Sequence, residues 1–184
     1  MYLNCHSFHS LRYGTIPLED LVSQALDSGV TAMALTDINT VTGIYDFIKA
    51  CAKVNIKPLV GIDFRNNGKQ LYIGLAKNRA GLAEMNRLLT HHNFENTPLT
   101  GTAPNFENVF VIYPLDNVPE ELNENEFIGI RAEQLPKLYN YSWKRRIHKM
   151  VILQPVTYRT KKEFNLHKIL RAIDLNTIGT KLTE

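Results

Sequence analysis

The chain has 184 residues, 44% hydrophobic and 21% charged, with a formal net charge of +3. That length suffices for one domain with a real core, and no run approaches the roughly 18 consecutive apolar residues that a membrane span needs. Residues 1–6 lack a basic region followed by an apolar stretch, so no secretory leader is expected. The two cysteines, Cys5 and Cys51, sit in apolar company and read as reduced core thiols of a cytoplasmic protein rather than as a disulfide framework.

Residues 2–5 form a first strand candidate. Pro17 then opens a helix at a position where its missing N–H costs nothing, with Leu18, Leu21, Val22, Ala25 and Leu26 on one stripe and Gly29 as the stop. A second strand over 31–35 ends at Thr36-Asp37. The next helix carries Ile44, Phe47, Ile48, Cys51 and Ala52 on one face. A third strand, 57–64, is entered by Pro58, and Asn66-Asn67-Gly68 is a hairpin signal that returns the chain over 70–75. Asn78 caps a helix whose core face is Leu82, Met85, Leu88 and Leu89. Residues 93–106 read as a loop. Strands follow over 109–113, 126–130 and 150–153, and a last helix runs over 161–172.

Strands alternating with helices predict βαβ units and a parallel sheet, open or closed into a barrel. In such α/β folds function collects at the carboxyl ends of strands. Asn4 and His6 after the first strand, Asp37 after the second and Asp63 near the end of the third therefore predict one shared face. Charge is spread unevenly: residues 137–171 carry ten Lys/Arg against Glu163, and 107–133 carry seven acids against Arg131. Such a basic run reads as a solvated face or as a surface for an acidic partner such as DNA. The cluster of Trp143 with Lys144, Arg145 and Arg146 adds little to the second reading.

Several segments, in order, carry a family resemblance. Leu3-Asn4-Cys5-His6-Ser7-Phe8-His9-Ser10 followed by Gly14 resembles the opening motif of PHP (polymerase and histidinol phosphatase) domains, usually His-x-His-Ser-x-x-Ser and then Asp-Gly. Ala34-Leu35-Thr36-Asp37-Ile38-Asn39 resembles the second motif, Ala-Leu-Thr-Asp-His-Gly. Tyr45-Asp46-Phe47-Ile48-Lys49-Ala50-Cys51, Ile56-Lys57-Pro58-Leu59-Val60-Gly61-Ile62-Asp63-Phe64 and Leu166-His167-Lys168-Ile169-Leu170-Arg171-Ala172-Ile173 resemble the version found in bacterial DNA polymerase III alpha subunits. The resemblance is dense over 1–90, patchy over 91–150 and returns over about 151–182.

This resemblance implies a distorted (β/α)7-like barrel, here shortened, over residues 1–165, with 166–184 as an exit helix leading toward a polymerase module. Active relatives resemble phosphoesterases in which His, Asp and Glu hold divalent metals that turn bound water into a nucleophile. By that resemblance the ligand positions are mostly lost. Asn4 replaces the first His, Tyr13 the Asp before the glycine, Ile38 the His of the second motif, and Thr157 a late ligand in Gln154-Pro155-Val156-Thr157-Tyr158. His6 and Asp63 remain as candidate metal ligands, with Asp37 beside them as a structural acid. No catalytic residue and no cofactor are expected, or at most one weakly bound divalent ion (Zn, Mn or Mg). Alternatively, Asn4, His6, Asp37 and Asp63 hydrogen-bond one another and nearby backbone groups and keep the old site closed.

The expected role is that of the N-terminal PHP domain of a polymerase III alpha subunit, excised from a longer protein. It would support the remaining modules of the parent, contact a proofreading exonuclease subunit, and meet DNA through the parent. Rival expectations are a free-standing metal-dependent PHP phosphoesterase or 3′–5′ exonuclease, and a DNA-binding module using 137–171. His91 and His92 are expected at a helix end, His148 and His167 as surface or packing residues, and Cys5 as an inert thiol, while His9 could replace the lost His at a different angle but stands at a family position held by a non-ligand.

Overall fold

A mixed seven-stranded sheet, with strands in sequence order from one edge to the other, organises the chain. The computed structural model describes residues 1–139, 143 and 145–182. Within them run β1 (Tyr2–Cys5), α1 (Leu18–Asp27), β2 (Ala32–Leu35), α2 (Ile44–Lys53), β3 (Lys57–Asn66), β4 (Lys69–Ala76), α3 (Arg79–Glu95), β5 (Val109–Pro114), β6 (Glu126–Ile130), β7 (Met150–Ile152) and α4 (Lys161–Asp174). The fold is α/β, a curled half-barrel.

The expected parallel sheet is parallel only at its two ends. β1–β2–β3 and β5–β6–β7 are parallel, but β3, β4 and β5 pair antiparallel. The hairpin signal explains the reversal. Asn67 and Gly68 both take positive φ, 48° and 82°, as a two-residue turn matched to strand twist requires. No helix then intervenes between β3 and β4 to carry the chain back for a parallel pairing.

The sheet is buried on both faces, and alternation sorts its side chains. Met33 and Leu35 of β2 pack with Leu21, Val22, Phe47 and Cys51 under α1 and α2. Tyr72, Val111 and Tyr113 pack with Met85 and Leu89 of α3. Ala34, Ile73, Ile112 and Leu153 point the other way and fill the inside of the curl. Leu153 N donates to Ile130 O at 2.9 Å, and directly after Pro155 the same segment reaches β1: Val156 N donates to Asn4 O and His6 N to Val156 O, both at 2.9 Å. One continuous stretch thus joins the two edges of the sheet.

Some predicted faces are narrower than expected. Leu26, Ile48 and Ala52 are exposed, because the two helices bury only the strips around Leu18, Leu21, Val22 and Ala25 and around Ile44, Phe47 and Cys51. The loop expected from 93 begins later, since α3 runs to Glu95. β3 also runs beyond the predicted 64, so Asp63 lies inside the strand. It stands just past the last β2 rung, Leu35↔Val60. No helix among the described residues is long and apolar enough to cross a membrane.

Candidate functional site

The polar residues at the strand ends meet around a loop that folds back on itself after β1. Phe8 N donates to Ile16 O at 3.0 Å and Gly14 N to Ser10 O at 2.8 Å. A Cβ on Gly14 would stand 1.8 Å from Ser7 O, so only glycine fits the crossing. Asp37 holds this loop. Its Oδ1 accepts from Ser7 N and Ser10 Oγ, and its Oδ2 from Ser7 Oγ, each at 2.7 Å. Burial pushes the Asp37 carboxyl up, against the hydrogen bonds from Ser10 and Ser7 that favour its charge.

His6 and Asp63 are fully buried and bonded to each other, Nε2 to Oδ2 at 2.9 Å, while His6 Nδ1 lies 3.1 Å from Thr157 Oγ1. A carboxylate only accepts, so Nε2 carries the hydrogen in this pair. In that tautomer Nδ1 accepts from the Thr157 hydroxyl. Asn4, also buried, accepts from Thr36 Oγ1 at 3.2 Å through Oδ1. Ile38 meets Asp63 through an isolated parallel backbone bridge.

Arg65 is the residue that the sequence reading missed. Its Nε and Nη2 donate to Asp63 Oδ2 at 3.0 and 2.7 Å, and Gln70 Nε2 adds a fourth donor at 3.0 Å. Asp63 Oδ1 stays buried without a hydrogen-bond partner among the described residues. Burial alone would raise the Asp63 carboxyl, but the Arg65 charge, and then the His6 hydrogen bond, hold it below the ordinary carboxylate range. Desolvation works against the Arg65 charge, yet Asp63 outweighs it and pushes the guanidinium further up. Strand alternation was the available signal, since residues 63 and 65 share a face.

Tyr13 roofs this pair. The Arg65 guanidinium carbon lies 4.5 Å from its ring centroid and that of Arg171 5.2 Å. The rings of His6 and His167 meet it edge-on at 5.1 and 4.7 Å, and His167 Nδ1 donates to Tyr13 O at 2.7 Å. Thus α4 is fastened to the mouth of the site.

The remaining histidines lie elsewhere. His9 stacks on Phe8 at 4.3 Å, His91 and His92 ride the end of α3, with His92 bonded to Thr97 O, and His148 sits in a short 3-10 turn. Burial pushes the Cys5 thiol up to about 12 and that of Cys51 to about 11, which disfavours thiolate chemistry. Part of the basic run turns inward: Arg146 bonds Pro119 O and Glu120 O, and Lys149 bonds Asn123 O and Glu124 O. Lys144, named with Trp143 in the aromatic-basic cluster, lies outside the described residues.

These donors do not fit a metal cluster. Among the described residues no three His, Cys, Asp or Glu side chains gather as a ligand group, both ring nitrogens of His6 are engaged, and a guanidinium faces Asp63. Residues 3–131 nonetheless match the PHP domain family. The chain belongs to that family. It is 29% identical over 178 residues to a DNA polymerase III subunit alpha of Staphylococcus aureus, covering 94% of this chain and 16% of that one. It is 33% identical over 145 residues to an error-prone DNA polymerase of Symbiobacterium thermophilum, covering 75% of this chain and 13% of that one. The PHP domain described here therefore spans less than a fifth of either relative. Among solved structures, an amidohydrolase from Chromobacterium violaceum shares 21% identity with a TM-score of 0.39, covering 51% of this chain and 34% of that one.

Proposed function

We propose that this PHP domain is a structural and partner-binding module of a bacterial DNA polymerase III alpha-type polymerase, with a degenerate metal site. The observation that carries the reading is the Arg65–Asp63 contact. A fixed guanidinium supplies the positive charge that a divalent ion would otherwise bring to Asp63. Asn4, Tyr13, Ile38 and Thr157 fill the other family positions with groups that pack or hydrogen-bond. Asp37 serves as the structural acid of the loop. Residues 1–165 make up the domain, and 166–184 lead toward the remaining modules of the parent. Its partners are the remaining modules of the parent and a proofreading exonuclease subunit, with DNA met through the parent.

A second reading, a metal-dependent phosphoesterase or 3′–5′ exonuclease, has one observation in its favour, the Oδ1 of Asp63, which is buried without a hydrogen-bond partner among the described residues. One weakly held Zn, Mn or Mg ion is the most that atom supports. The deciding experiment measures metal content of the purified chain after exposure to Zn²⁺ and Mn²⁺ and removal of the excess. Less than about 0.2 ion per chain is the expected result. Roughly two tightly held ions would overturn the proposal and turn attention to phosphatase and nuclease assays.

A further inference from the structure

α4 is amphipathic with its faces reversed. The residues it buries are His167 and Arg171, an inward polar pair at i and i+4 that reaches Tyr13, with Arg171 Nη1 donating to Asp174 Oδ2 at 2.7 Å at the exposed edge. The opposite side is apolar and uncovered: Leu166 is 46% exposed, Ile169 58% and Ile173 61%. A lone exposed leucine needs no explanation, but a helical stripe of them on an element anchored by its polar face does. Ile169, Ala172 and Ile173 also line an open groove together with Lys168, Thr177 and Gly179.

Charge selects what lies in this groove. The acids of α4 are already neutralised, Glu163 by Arg159 and Asp174 by Arg171 and Arg12. Lys161 and Lys162 enter no ion pair among the described residues, and Lys168 lies over the Phe164 ring at 5.8 Å. Lys168 lines the groove itself, and Lys161 and Lys162 lie toward the N-terminal end of the same helix, so the free charge that α4 offers beside the apolar floor is positive. A second copy docked about a twofold axis would set these lysines against their own counterparts. Nucleic acid would meet the cations but leave Ile169 and Ile173 in water.

We infer that the outer face of α4 is the docking surface for an amphipathic protein helix that carries carboxylates beside its apolar stripe. Polar anchoring of the inner face then serves to present the apolar one. The inference rests on the structural, partner-binding reading, but its test is independent of metal content, so either can fail alone.

The test titrates the full chain with two fluorescent helical peptides of the same leucine stripe, one flanked by glutamates and one by lysines. The glutamate peptide is expected to bind, more weakly as salt rises, and the lysine peptide at least about tenfold less tightly. Ile169→Ser with Ile173→Ser should abolish the difference while leaving the circular dichroism spectrum unchanged, and Ile48→Ser on α2 should bind as the parent chain does. Equal binding of both peptides, no binding of either, self-association of the chain through Ile169 and Ile173, or a preference for duplex DNA over the glutamate peptide would each overturn the inference.

Discussion

At Asp63 and Arg65, a buried charge pair has the consequence that its halves are worth little separately. Removing one partner of such a pair strands the other, at a cost of about 3–5 kcal/mol, while replacing both with apolar side chains is mild. Arg65→Met is therefore expected to lower stability by about that amount in urea unfolding, and Arg65→Met combined with Asp63→Leu to recover part of it, since His6 and Gln70 then lose their acceptor. A double variant as unstable as the single one would show that the shape of the pair matters, not its charge balance. Acid supplies a second readout. The folded Asp63 carboxyl lies below its ordinary range, so the unfolded chain takes up the proton first. Its contribution is complete above that range and is lost as pH falls through the depressed folded value. Asp37 has the opposite sign, because its folded carboxyl is raised and its protonation favours the fold as pH drops toward the ordinary range. Without Arg65 the decline due to Asp63 should flatten below about pH 4.

Helices and strands show what was readable in advance and what was not. Every predicted strand formed, and β6 matches the predicted 126–130, because short apolar runs bounded by turn residues have few alternatives. Asn78 caps α3 as expected, its Oδ1 accepting from Gly81 N at 3.1 Å. The outer members of the helical stripes, Leu26, Ile48 and Ala52, misled because periodicity gives a direction but not the width of the surface a neighbour covers. The convergence of Asn4, His6, Asp37 and Asp63 was legible from strand ends. Arg65 was overlooked although alternation sets it on the face of Asp63, since an arginine near a hairpin ordinarily points to water. The bond between His6 and Thr157 spans 151 residues, beyond the reach of any local pattern. On α4 the capping pattern is local and testable. Thr160 Oγ1 accepts from Glu163 N at 3.2 Å, and Glu163 returns to Arg159 N at 2.7 Å. Thr160→Ala should cost about 1 kcal/mol and speed amide exchange in the first turn of α4, leaving α1 and α2 unchanged.

For the molecule as a whole, the question is what keeps the curled sheet from opening where its two edges meet. Two elements bear on it: the side-chain network of His6, Asp63, Arg65 and Thr157, and the backbone bonds that the segment after β7 makes to β1. They are joined, since Thr157 follows Val156 directly and His6 N is itself bonded to Val156 O. An edge that frays alone exchanges its amides by local opening, whereas one that is part of the cooperative unit exchanges only with global unfolding. The amides of His6 and Val156 are expected to exchange as slowly as those of β2 in the centre of the parallel half. Val156→Pro removes the donor to Asn4 O. It should therefore accelerate exchange at His6 and through β1, and lower stability by more than the roughly 0.5–1.5 kcal/mol of one hydrogen bond, because the site network slackens with it. Were exchange at His6 fast in the parent chain and the variant no less stable than that single bond predicts, closure would be a loose edge contact, and the buried charge pair alone would hold the site together.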